Sequence, residues 1–188
     1  MRVIAGQYRS RPLSAPRGLD TRPTSDRLRE TLFNVLAPRI ADAVFLDLYA
    51  GSGAVGIEAL SRGAREAIFV EQADAPMKAI RGNLSALGIA GRYALEKRSV
   101  AAALRRLAEN GRVADIVFLD PPYSEVAEYT QSLGLLGGAS RSILAPCAIV
   151  IAEHEKRREL DERYGLLVRY RVLKQGDAAL SFFRLDVD

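Results

Sequence analysis

Apolar positions along the 188-residue chain keep two rhythms. Starting at Thr24 or Asp26, Leu28, Leu32, Val35 and Leu36 recur at i, i+4, i+7 and i+8, which predicts an amphipathic helix ending before Pro38. Beyond it, short apolar runs alternate with helical stretches. Residues 43–48, 67–70, 93–95, 115–119 and 147–151 read as strands. Residues 54–62, 74–87 and 100–107 read as helices; Gly63 and Gly88 close the first two, and Asp74 is placed to cap the second. The run 115–119 is nearly all apolar, as in a strand covered on both faces. Residues 166–173 and 179–185 flank Lys174-Gln-Gly-Asp and predict a closing antiparallel hairpin. Ahead of all these, residues 3–5 and 12–13 flank a turn region carrying Gly6, Arg9 and Arg11, a small exposed basic hairpin, and residues 17–23 read as a loop. Strands alternating with helices predict an α/β fold with a mostly parallel, doubly wound sheet. With no repeat or low-complexity linker, the expectation is one domain over 1–188: a hairpin-helix extension at 1–40 and a core at 41–188.

Composition narrows the class. The chain is 48% hydrophobic and 27% charged, and no run of ~18 apolar residues is present to span a membrane. The apolar run near Met1 breaks off after Ala5, so no secretory signal is expected and the location expected is cytoplasmic. Single residues of their kind, Cys147 and His154 supply neither an internal disulfide nor a closed zinc site, and no metal is expected. His154 reads as a strand-end polar residue. Charge is distributed unevenly: residues 1–40 hold eight arginines against three acids, whereas the remainder holds 19 basic and 20 acidic groups. Arginine suits bidentate phosphate contacts, so the excess at one end fits a polyanion.

The first predicted strand runs into Asp47-Leu-Tyr-Ala-Gly51-Ser52-Gly53-Ala-Val-Gly56 and then a helix. Glycines there allow a tight turn and close approach of a ligand to N–H groups at a helix N-terminus. Glu71 ends the next strand, where a carboxylate can accept both ribose hydroxyls. Asp47 speaks against a dinucleotide, since a carboxylate beside the turn would repel a pyrophosphate. A cofactor with an amino-acid end fits better. In S-adenosylmethionine the ammonium would lie near Asp47 and the carboxylate on the loop N–H groups of Gly51, Ser52 and Gly53.

The fourth predicted strand ends in Asp120-Pro121-Pro122-Tyr123. Two prolines stiffen the backbone and remove two donors, which presents the Pro121 carbonyl without a competing local bond. Asp120 adds a second acceptor and Tyr123 a flat face. Two acceptors and an aromatic ring suit a planar exocyclic amine on a base. Loops at the carboxyl ends of strands are where open α/β sheets place their sites.

These two motifs resemble those of the amino-methyltransferases that use S-adenosylmethionine. Arg2-Val-Ile-Ala-Gly, Arg22-Pro-Thr24, Asp26-Arg27 and Arg29-Glu-Thr-Leu-Phe-Asn34 extend the resemblance, over nearly the whole chain, to the bacterial small-subunit ribosomal RNA guanine-N2 methyltransferases, the RsmD type. The resemblance implies a seven-stranded Rossmann-like sheet. It also implies methylation of one guanine N2 in 16S rRNA, with an assembled or assembling small subunit as the substrate. Gly51 and Gly53 would cradle the methionine part, Glu71 the ribose, Asp120 and the Pro121 carbonyl the amine, and Tyr123 would stack on the base. Relatives of this fold place an acid after strand three to hold the adenine amine; here Arg98-Ser99-Val100 stands instead, which leaves Ser99 or a backbone carbonyl for that contact. Arg2, Arg9, Arg11, Arg22 and Arg27 are the expected RNA-phosphate contacts, and a monomer is the default. The rival readings are an adenine-N6 methyltransferase of DNA or RNA, a glutamine-N5 protein methyltransferase, an NAD-dependent oxidoreductase that would leave Asp120–Tyr123 idle, and a non-catalytic RNA-binding assembly factor.

Overall fold

The computed structural model describes residues 1–15 and 25–186. The loop expected at 17–23, Thr24 and the RNA contact expected of Arg22 lie outside them. The chain forms two compact units, Met1–Arg98 and Ser99–Asp188.

The first unit holds α1 (Asp26–Leu36), β1 (Val44–Asp47), α2 (Ala54–Ser61), β2 (Glu66–Val70), α3 (Asp74–Ala86) and β3 (Tyr93–Glu96). Its strands run in the order β3-β2-β1, all parallel, with Leu46 opposite Ile68 and Ile68 opposite Ala94. Ser25 caps α1 by accepting from the Leu28 N–H. α3 departs from expectation: its cap is Ala73, and Asp74 lies in the first turn, where it pairs with Lys97. The N-terminal hairpin is present, with Arg2 opposite Pro12 and the Val3 N–H donating to the Arg11 carbonyl at 3.0 Å.

The hairpin is more than an exposed arm. Val3 and Leu13 belong to one buried cluster with Ile57, Leu60, Phe69, Ile80 and Leu84. Gly6 (φ +83°) lies so close to α2 that a Cβ there would fall 1.9 Å from the Ser61 carbonyl oxygen. The fully buried Glu58 carboxylate accepts from the Ile4 and Ala5 N–H groups at 2.8 and 3.0 Å and from Arg62 Nε at 2.8 Å. Arg29, also fully buried, donates to the Arg2 carbonyl at 2.5 Å and to Asp26 Oδ1 at 3.0 Å, with its Nε 3.8 Å from Glu58.

The second unit holds α4 (Val100–Glu109), β4 (Ala114–Leu119), α5 (Val126–Gly137), β5 (Leu144–Glu155), β6 (Arg163–Tyr164), β7 (Leu167–Gln175) and β8 (Ala178–Leu185). Strand order is β4-β5-β8-β7-β6; β4 and β5 are parallel and the other pairs antiparallel. The described residues thus carry eight strands where seven were expected, the two-residue β6 being the shortest. α5, absent from the sequence reading, buries Tyr129, Leu133 and Leu136. β5 is longer than the expected 147–151, and its start is irregular: Ala114 is opposite Leu144 but Ile116 opposite Ile149, so the extra residues lie on β5. Among the described residues no helix is long and apolar enough to cross a membrane.

Candidate active site

In the first unit β1 ends at Asp47, and the chain turns through Gly51 (φ +53°) to Gly53 (φ +78°), the N-cap of α2. Both angles fall in the left-handed region that other residues rarely adopt. At Gly56 the reason for glycine is packing: a Cβ would lie 2.3 Å from Phe69 Cε1, so only hydrogen lets α2 seat on β2. No side chain of the N-cap serves the first turn of α2. Asp47 reaches past it instead, and its Oδ2 accepts from the Gly56 N–H at 3.1 Å. Burial pushes the Asp47 carboxyl up to about 7; the nearby Glu71 adds to the rise and the Gly56 hydrogen bond opposes it.

Glu71 braces the same loop. One of its oxygens accepts from the Gly51 N–H at 3.1 Å and the other from Ala73 at 2.9 Å. A carboxylate has about four acceptor positions, so capacity for ribose hydroxyls is left. Ser52 is held on both sides: its Oγ donates to the Met1 sulfur at 3.4 Å, and its carbonyl accepts from Asn83 Nδ2 at 2.9 Å. Asn83 also accepts from the Ser14 N–H at 2.8 Å and donates to the Ser14 carbonyl at 3.0 Å, tying loop, α3 and hairpin flank together. Its one sequence signal is a polar residue on the apolar face of α3, between Ile80 and Leu87.

These residues fit the amino-acid end of S-adenosylmethionine. A buried carboxyl held near neutrality gains most from a cation, and a helix N-terminus suits a carboxylate. A pyrophosphate would meet Asp47 with the wrong sign.

In the second unit β4 delivers Asp120, half-buried, followed by buried Pro121, exposed Pro122 and half-buried Tyr123. The Glu125 N–H closes the turn onto the Pro122 carbonyl at 2.8 Å. Two residues missed by sequence reasoning shape this loop. The Tyr129 hydroxyl lies 3.0 Å from the Glu153 carbonyl and 3.5 Å from that of Pro121, so Pro121 does have a nearby donor, one better placed for Glu153. Burial first, then the charge of Asp120, drives the Tyr129 phenol far above its ordinary value, which keeps it a donor. Arg158 donates from Nη2 to the Tyr123 carbonyl at 2.9 Å, and its guanidinium lies 5.4 Å from the Tyr129 ring centre.

Ser99 is the exposed N-cap of α4, its Oγ accepting from Ala102 at 3.4 Å, so the acceptor expected for adenine already serves a helix end. His154 is the penultimate residue of β5, as expected of a strand-end polar residue, and it is buried. Its Nδ1 faces the Glu155 carbonyl at 2.9 Å and its Nε2 the Ser181 hydroxyl at 2.8 Å. Burial lowers its pKa, and a carbonyl can only accept, so Nδ1 carries the proton. Of the arm arginines, Arg9 and Arg27 are exposed, Arg2 lies 4.0 Å from Asp26, and Arg11 donates to the Ala86 carbonyl at 3.0 Å.

Strands, glycine loop and acid-ended β2 are those of a Rossmann-like S-adenosylmethionine-dependent methyltransferase fold. A methyltransferase of that dependence from Agrobacterium tumefaciens shares it at TM-score 0.64 and 16% identity, over 88% of this chain and 63% of that one. The chain belongs to the family described as Conserved hypothetical protein 95, whose model matches residues 1–184. It is 37% identical over 161 residues to the Haemophilus influenzae Ribosomal RNA small subunit methyltransferase D, covering 85% of this chain and 81% of the relative. It is also similar to the solved structure of yhhF from Escherichia coli, described as a candidate methyltransferase, with TM-score 0.80 and 36% identity over 100% and 99% of the two chains.

Proposed function

We propose that this protein is a methyltransferase that uses S-adenosylmethionine to methylate the exocyclic N2 of one guanine in 16S rRNA, acting in the bacterial cytoplasm as a monomer on an assembled or assembling small subunit. The observation that carries the reading is the buried Asp47 carboxyl at the entrance to α2, a cation-seeking group where an oxidoreductase would need to admit phosphates. The 37% identity to the Haemophilus influenzae Ribosomal RNA small subunit methyltransferase D supports the rRNA substrate.

When bound, S-adenosylmethionine supplies a methyl group activated by a sulfonium. Asp47 would hold the ammonium end and Glu71 the ribose hydroxyls, while the loop from Gly51 to Gly53 would cradle the carboxylate, its Gly51 and Gly53 N–H groups already donating to Glu71 and to the Ala50 carbonyl. Asp120 and the Pro121 carbonyl accept the two N–H hydrogens of the guanine amine, which aims its lone pair, and Tyr123 stacks on the base. Asp120 then holds the proton the amine gives up. Because the leaving group is already good, alignment is the main contribution, and effects of ~7–11 kcal/mol are available to it. Extruding the guanine costs a few kcal/mol, which phosphate contacts from the arm arginines offset.

The test is mass mapping of 16S rRNA nucleosides from cells lacking the gene, with and without complementation. One N2-methylguanine should disappear and return with the gene. An unchanged nucleoside map refutes the substrate.

A further inference from the structure

β7 and β8 carry Arg169, Arg171, Lys174 and Arg184 and not one acid. Arg169 is engaged with the Leu160 carbonyl at 2.7 Å and lies 3.8 Å from Glu162. On the face of the hairpin shared by Phe182 and Arg184, the register is irregular. Arg169 is opposite Phe183 and Arg171 opposite Phe182, so Tyr170 is the extra residue of a bulge. Bulges re-aim side chains. Regular alternation would send Tyr170 and Arg171 to opposite faces, whereas here both turn toward Phe182. The Tyr170 and Phe182 ring centres are 6.3 Å apart, the Arg171 guanidinium is 5.8 Å from Phe182, and that of Arg184 is 5.7 Å from Tyr170. The result is a layered row, Arg171, Phe182, Tyr170, Arg184. Phe182 is fully buried, but Tyr170 keeps 45% of its surface exposed. Tyr170 thus sits between Phe182 and Arg184 with nearly half its surface in solvent, and a part-exposed aromatic ring beside arginines is an arrangement that stacks an unpaired base and pairs its flanking phosphates.

We infer that this face of the β7–β8 hairpin is a second RNA-binding surface, on which an unpaired base stacks over Tyr170 while Arg171 and Arg184 contact neighbouring phosphates. The inference rests on the proposed RNA substrate, and charge sign decides the occupant in favour of a single strand of RNA. Register connects the surface to the candidate catalytic strand: Phe118 is opposite Ile151, Ile151 opposite Phe182, and Phe182 opposite Arg171. Three strand spacings make about 14 Å. At ~3.4 Å per stacked nucleotide, that is about four nucleotides of one strand.

The test is fluorescence anisotropy with a labelled single-stranded 16S rRNA fragment, using the full chain at several salt concentrations. Tyr170→Ala should weaken binding about tenfold, within the range for losing one stacked base, and Tyr170→Phe should restore it. Arg171→Ala with Arg184→Ala should lower the salt slope by about 1.4, or ~0.7 for each lost phosphate contact. Methyl transfer to the small subunit is measured on the same wild-type preparation. Wild-type protein that methylates RNA, while both variants bind the fragment unchanged, overturns this surface and leaves the proposed function standing. Wild-type protein that neither binds nor methylates RNA overturns both. A defect seen on the intact subunit but not on the free fragment marks a protein contact and also overturns the inference.

Discussion

Replacing Asp47 with Asn should stabilise the protein at alkaline pH and weaken its hold on the cofactor. Asn keeps an oxygen for the Gly56 N–H but cannot ionise. In the wild type the folded carboxyl titrates at about 7, raised chiefly by burial from an ordinary 3.8. An acid whose folded pKa exceeds its unfolded one holds its proton more tightly when folded. Its contribution to stability is present at low pH and is lost as pH climbs from the unfolded value through about 7. Between about pH 5 and about pH 8 that loss comes to roughly 2–3 kcal/mol. Urea unfolding of both proteins across this window measures it as a difference, so shared titrations cancel. The gap should open in favour of Asp47→Asn as pH rises, while S-adenosylhomocysteine, which carries the same ammonium, binds the variant roughly ten- to a hundredfold more weakly by calorimetry. Stability curves that stay parallel from acid to alkaline pH would refute the burial argument, and unaltered affinity would refute the ammonium contact.

Three other substitutions probe what surrounds the loops. Glu58→Ala leaves the buried Arg29 to its pair with the part-exposed Asp26 and strips the acceptor from Ile4 and Ala5, so unfolding should move by about 3 kcal/mol and trypsin should cut faster after Arg9 or Arg11. An unchanged urea midpoint would contradict the docking of the hairpin. Asn83→Ala removes three hydrogen bonds between Ser14 and Ser52, at a cost of about 1–3 kcal/mol, and should raise the Kd for S-adenosylhomocysteine several-fold; equal affinity would show that Ser52 holds its place without it. Arg158→Leu frees the Tyr123 carbonyl and should slow methyl transfer about tenfold with cofactor affinity intact, so a wild-type rate would remove Arg158 from the positioning of that loop.

What could be read from the sequence was what is local in the sequence. Asp47, Gly51, Gly53 and Glu71 stand at the ends of adjacent parallel strands, so strand pattern and glycine spacing locate them. Asp120 through Tyr123 follow an apolar run whose end is plain. Asn83, Glu58 and Arg158 were invisible because their partners lie far along the chain. Asn83 reaches Ser14 across 69 positions, and Arg158 reaches Tyr123 across 35. The sequence predicts the hairpin, but as an exposed arm. Nothing in Arg2 through Pro12 reveals that Glu58 accepts its backbone or that Gly6 abuts Ser61. β6 is only two residues long, too short for a periodic signal. Glycines within α5 blurred the pattern that Tyr129, Leu133 and Leu136 would otherwise have announced.

The central claim of the proposal is that Asp120 holds and deprotonates the RNA amine that receives the methyl group. Single-turnover methyl transfer to small ribosomal subunits, wild type against Asp120→Ala, tests it most directly, with S-adenosylhomocysteine affinity measured alongside. The account predicts a rate lower by about a hundredfold or more and a cofactor Kd within a few-fold of wild type. A variant that transfers methyl groups at the wild-type rate would contradict it.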